Sequence, residues 1–154
     1  NKRAQEDIAR ALELIGRFQQ CGIRTALGLN GREAEQILRV LGGNAQTELE
    51  ALCREIYARL NIDCLVVHLT DRAACIQDGV YKMVIGPYCQ KPRLTTGAGD
   101  SFSAAILLGC VQRMNIEEIA RMGMAAASVA MESKQAVNSN MHMNELKRRM
   151  REHV

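Results

Sequence analysis

The run Thr95-Thr96-Gly97-Ala98-Gly99-Asp100 holds the residues best suited to chemistry. Two glycines around an alanine let the backbone turn sharply and approach a ligand closely. The apolar run Ser101 to Val111 follows and reads as a helix. A helix start presents unpaired N–H groups and the positive end of its dipole, which suit a phosphate. Asp100 then stands at the mouth of an anion site, where a carboxylate can take a proton from an attacking hydroxyl. Taken alone, the same residues also describe a glycine turn with Asp100 as a helix N-cap, a position that favours Asp.

The elements that must position this turn can be read in order. Ile8, Leu12, Ile15 and Phe18 recur at helical spacing, and Cys21-Gly22 ends that helix. Ile23 to Leu29 reads as a short strand, with Asn30-Gly31-Arg32-Glu33 at its carboxyl end. A helix through Ile37, Leu38 and Leu41 stops at Gly42-Gly43. Thr47 to Leu60 is the next helix, with Thr47 and Glu50 at capping-box spacing. Asp63 to Leu69 reads as a buried strand. Ala73 to Gln77 and Val80 to Ile85 follow as strands across the hairpin dipeptide Asp78-Gly79, and Gly86-Pro87 closes that unit. Helices over Ser101 to Val111, Ile116 to Ser133 and Asn144 to His153 complete the chain. Strands alternating with helices predict an α/β sheet packed between helices.

The longer run Thr95 to Ala105, TTGAGDSFSAA, closely resembles the C-terminal signature of the ribokinase-like, PfkB-type carbohydrate kinases. The resemblance implies transfer of the ATP γ-phosphoryl group to a hydroxyl of a sugar or related small molecule. It implies Asp100 as catalytic base and the amides of Gly97, Ala98 and Gly99 as anion hole, with Thr96 beside them. Asn30 and Glu33 match the family's N-x-x-E motif, which positions magnesium and water around the nucleotide phosphates. Mg²⁺ keeps several waters, so a carboxylate and an amide can act on it through them. As bare residues, Asn30 and Glu33 equally describe an N-cap and its N3 partner. His68 and Thr70 fall where the family's Gly-x-x-Gly loop meets the nucleotide, with Thr70 and Ala73 in place of the glycines. His68 is thus a candidate phosphate contact or a hydrogen-bonded histidine at a strand end. Ala125 to Ala127 and the loop Gln135 to Ser139 correspond loosely to the adenine wall. Leu94 replaces the family's usual Asp of a monovalent-cation loop, so little potassium dependence is expected.

The implied fold is a three-layer α/β/α ribokinase-like fold with a mostly parallel sheet plus an antiparallel hairpin. The resemblance covers nearly the whole chain but only the C-terminal half of a family member. Residues 1–154 are therefore expected to be a single partial domain, the nucleotide-binding half of a kinase about twice as long, with the sugar-binding motif outside it. A non-catalytic nucleotide- or sugar-sensing relative is the alternative reading. ATP and Mg²⁺ are the expected cosubstrate and metal, and a sugar-like small molecule the expected partner.

Composition narrows the remaining classes. Aromatic residues make up 3% with no Trp, and the formal charge is only +3. Single-strand nucleic-acid binding, which depends on stacking rings and a basic groove, is disfavoured. No apolar run approaches the roughly 18 residues of a membrane span, so no membrane partner is expected. Six cysteines lack any C-x-x-C pair, which points to a reducing, cytoplasmic setting rather than to zinc or disulfides. The basic tail Lys147, Arg148, Arg149 and Arg151 reads as the solvated face of the last helix. Homodimerisation is left open.

Overall fold

The structure is a computed structural model that describes residues 2–44, 48–86, 89, 92–133 and 140–151. Thr47, Pro87, His153 and the loop Gln135 to Ser139 lie outside the described residues. The chain divides into two compact units, one of Asn1–Val67 with Ala74–Tyr81, the other of His68–Ala73 with Lys82–Val154. The strands hydrogen-bond in the order β1-β2-β3-β4.

In the first unit the order is α1 (Lys2–Gln20), β1 (Ala26–Asn30), α2 (Gly31–Val40), α3 (Leu49–Leu60) and β2 (Cys64–His68). β1 starts later than the sequence pattern places it. The Ile23 N–H completes the end of α1 by donating to the Phe18 carbonyl at 3.0 Å, so the chain becomes extended only beyond it. The Thr25 carbonyl accepts from Asp63 N–H at 3.1 Å and Cys64 N–H at 3.2 Å. The starts of β1 and β2 therefore lie side by side, and the two run parallel, joined by the helical crossover that parallel strands require. α3 begins at Leu49 with Glu48 at the cap and no side-chain cap bond, so the capping box read at Thr47 is not its start. Glu50 instead pairs with Arg54 one turn on at 2.7 Å. The core of this unit joins Leu38 of α2, Cys53 and Ile56 of α3, and Leu65 and Val67 of β2. Burial, with Cys75 and Glu50 adding to it, pushes the Cys53 thiol up to about 12, so it packs as a small hydrophobe. None of the six cysteines is in a disulfide.

β3 (Arg72–Gln77) and β4 (Val80–Ile85) form the antiparallel hairpin expected from Asp78-Gly79. Both turn residues have positive φ, 51° and 75°, the geometry that matches the twist of a two-residue hairpin. A second tight return joins β2 to β3, where Leu69 N–H donates to the Arg72 carbonyl at 2.8 Å. The sheet is thus mixed, parallel at β1/β2 and antiparallel beyond.

The second unit carries α4 (Ala98–Val111), α5 (Ile116–Ser133) and α6 (Asn140–Arg151). α4 and α5 approach closely at Gly123, where an added Cβ would lie 2.8 Å from the fully buried Phe102 ring and 2.9 Å from Ile106. α6 lays Leu146 against Met122, Ala125 and Ala126. The basic tail is not uniformly solvated. The Arg149 side chain is 11% exposed and turns inward, because Ser128, Glu132 and Glu145 offer it acceptors. Among the described residues no helix is long and apolar enough to cross a membrane.

Candidate active site

α4 starts at Ala98, three residues before the apolar run suggests, because the glycine turn itself is its first turn. Gly97 is the N-cap, with φ 85° and ψ −4°, a left-handed conformation that costs an L side chain about 1–2 kcal/mol. Asp100 consequently stands at the third helical position and is not the cap. The Ser101 N–H donates to the Gly97 carbonyl at 3.0 Å, and the Ala98 N–H to the Thr95 carbonyl at 3.3 Å. Among the described residues, the amides of Gly97, Gly99 and Asp100 have no backbone acceptor. These are donors that a helix start leaves for a ligand or water.

Gly97 and Gly99 are glycines for different reasons. The positive φ requires Gly97. Gly99 lies within the helix, and a Cβ built there would meet nothing within 4 Å. A helical glycine costs about 1 kcal/mol against alanine, and neither packing nor backbone here demands it. The missing side chain leaves the space above the amides clear.

Three features hold the turn and its helix. The Arg93 and Leu94 N–H groups both donate to the Met131 carbonyl of α5, at 2.9 and 3.2 Å. Phe102 anchors α4 in the core, and its burial contributes about 1.5–3 kcal/mol. The His68 ring lies against Phe102 with centroids 4.4 Å apart. Thr70 is exposed at the tip of the β2–β3 return, and Thr96 is exposed beside the turn. Next to Asp100 opens a cavity of about 330 Å³, lined by Ser101, Leu108, Met122, Ala126 and Leu146. Among the described residues, its polar side chains are those of Asp100 and Ser101.

In the first unit, Asn30 and Glu33 form a reciprocal capping box at the carboxyl end of β1. Glu33 N–H donates to Asn30 Oδ1 at 2.9 Å, and Asn30 N–H to Glu33 Oε2 at 2.8 Å. The other carboxylate oxygen, Oε1, takes no part in these two bonds. No cluster of three or more His, Cys, Asp or Glu side chains among the described residues could hold a metal directly. A carboxylate and an amide are groups that can meet a hydrated Mg²⁺ through its waters.

The sequence pattern brought out the turn, Asp100 and the capping pair. It missed the packing of Gly123 on Phe102, the Met131 carbonyl that takes the Arg93 and Leu94 amides, and the Arg149–Glu132 pair between α6 and α5. Gly123, inside a helical run of small residues, is the one with a visible signal, since helical glycine needs a packing reason.

Comparison with known proteins places the chain. The sequence profile of the pfkB family carbohydrate kinases matches residues 22–143. An uncharacterized sugar kinase of Archaeoglobus fulgidus is 32% identical over 92 residues, 55% of this chain and 37% of that protein. Inositol 3-kinase of Arabidopsis thaliana is 27% identical over 96 residues, 62% of this chain and 27% of that protein. The fold is similar to the crystal structure of phosphofructokinase-2 from Escherichia coli in complex with substrates and products. That likeness has a TM-score of 0.71 at 22% identity and covers 94% of this chain and 53% of the other. The chain thus spans about half the length of that structure and less of the two sequence relatives. Its fold is ribokinase-like, and the chain belongs to the pfkB family of carbohydrate kinases.

Proposed function

We propose that this chain is the nucleotide-binding, C-terminal half of a kinase that transfers the γ-phosphoryl group of ATP to a hydroxyl of a sugar or related small molecule. The observation that carries the reading is the start of α4. Open amides at the cap Gly97 and at Gly99 stand three residues and one residue before the exposed carboxylate of Asp100. In this reading the acceptor hydroxyl gives its proton to Asp100 as its oxygen attacks the γ-phosphorus. The bond from that phosphorus to the bridging oxygen breaks, and ADP leaves. The open amides of Gly97 and Gly99 face the negative charge of the phosphoryl oxygens and need not reorganise, which is where such catalysis gains most, while the Ala98 amide, expected beside them, already donates to the Thr95 carbonyl. Thr70 offers a hydroxyl to the nucleotide from its hairpin tip, while His68 steadies α4 through Phe102. Asn30 and Glu33 would hold the waters of a magnesium ion, which when bound neutralises phosphate charge. Leu94 has no side-chain oxygen to offer a cation, so turnover should depend little on potassium.

Nucleotide binding measured beside turnover on the full-length protein tests this reading. Saturable ATP binding with sugar-dependent ADP release is the expected result. Binding without turnover on any of a panel of sugars and polyols would favour a sensing role, and neither activity would refute both.

A further inference from the structure

The turn that carries Asp100 hangs from the last two turns of α5. The Arg93 and Leu94 amides share the Met131 carbonyl, and Thr95 begins the turn directly after them. The neighbouring residue Glu132 accepts a hydrogen bond from the buried Cys89 thiol, so the incoming segment is tied at a second point. The same stretch of α5 is held from the other side by Arg149 of α6. Its guanidinium donates to Ser128 Oγ and to Glu132 Oε2, while its Nε donates to Glu145 Oε1 at 2.7 Å. Ser128 is 1% exposed and is the one buried polar side chain among the described residues. A buried hydroxyl and a largely enclosed guanidinium that satisfy each other fix one arrangement, because either left alone would be costly.

We propose that Arg149 is a positioning residue for phosphoryl transfer. It holds the C-terminal turns of α5, and these in turn set the height of the Thr95–Gly99 turn through Met131 and Glu132. The proposal rests on the kinase reading above. Arg149 does not line the cavity beside Asp100, so its effect passes entirely through the backbone it holds. A guanidinium suits this because its planar fork reaches two acceptors at once, and an ammonium cannot reproduce that geometry.

The test compares Arg149→Met and Arg149→Lys with wild type in the full polypeptide. Three readouts are taken: thermal melting, amide exchange at Arg93 and Leu94, and steady-state kinetics with ATP. Positioning predicts faster exchange at Arg93 and Leu94 in both variants, with interior amides of α4 such as Ile106 unchanged. It also predicts a roughly 10- to 100-fold loss of kcat, the scale of a small misplacement transmitted from a distance. Arg149→Lys should keep more thermal stability than Arg149→Met while losing nearly as much kcat. If Arg149→Met fails to fold, Glu132→Ala breaks the same link at a side chain that is 44% exposed and should give the same pattern. Unchanged exchange at Arg93 and Leu94 in a folded variant overturns the tie. Faster exchange with kcat unaltered overturns the positioning role while leaving the tie real. A wild type with neither turnover nor ATP-induced shifts at the Gly97 amide overturns the kinase reading, and the positioning role with it.

Discussion

At the scale of single residues, the motif N-x-x-E shows how little a short pattern says without its place in the fold. It occurs at Asn30 to Glu33 and again at Asn115 to Glu118. Both copies fold into the same device. Glu118 N–H donates to Asn115 Oδ1 at 2.9 Å, as Glu33 N–H does to Asn30 Oδ1. Capping therefore explains both pairs locally, and only the position of Asn30 at the carboxyl end of β1 sets the first apart. A magnesium role adds a consequence that capping lacks. Glu33→Gln can still serve at N3, so the fold should persist with a melting temperature near that of wild type. The magnesium concentration for half-maximal rate should rise about 10–100-fold, the usual cost of losing a partner to a metal's inner ligands. Titrating magnesium at saturating ATP separates the two, since an unchanged curve leaves Glu33 as a cap alone. Asp100 stood out in the sequence for a different reason. Its glycine neighbours cost helix stability, and that expense points outward from the fold.

At the scale of elements, the pattern of apolar residues located every described helix and strand, while boundaries moved for identifiable causes. β1 began late because the end of α1 takes the Ile23 amide, and α4 began early because the glycine turn is already helical. Contacts between helices were not legible. Nothing in residues 116–133 taken alone says that Gly123 faces Phe102. Gly123→Ala should gain about 1 kcal/mol of helix propensity but overpack a ring that has no room to move, for a net loss of about 1–2 kcal/mol. Chemical denaturation measures it, and a stabilised variant would show that α4 and α5 separate freely. The α5–α6 seam makes a second prediction. Hydrogen bonds from Arg148 and Arg149 hold the Glu145 carboxyl at about 2, down from 4.5, and Arg149 lowers Glu132 as well. Both pKa values are lower in the folded chain, so their contribution is complete above about 4.5 and is lost as pH falls toward 2. Glu145 and Glu132 are partly exposed, at 32% and 44%, so solvent screens the pairs, the effect is modest and salt weakens it. Amide exchange at Leu146 should accelerate across that pH window. Protection that stays flat from pH 5 to about 2 would remove these ion pairs from the stability of α6.

At the scale of the whole molecule, the sequence carries a kinase signature and about half the length of its structural relative. Among the described residues, the cavity beside Asp100 offers one carboxylate and one hydroxyl to a polar ligand. In the proposed reading, this chain's task is to bind a phosphate chain at the start of α4 and to remove a proton beside it. Asp100→Asn in the full-length protein isolates that capacity, because the amide keeps the size of the side chain at the third helical position and loses only the base. Turnover and ATP affinity should be measured on the same preparation. Phosphoryl transfer with Asp100 as base predicts a fall in kcat of about 10²–10⁴-fold, the range of acid–base effects, with ATP affinity retained. A kcat within about threefold of wild type, well short of that range, would show that the proton leaves by another route.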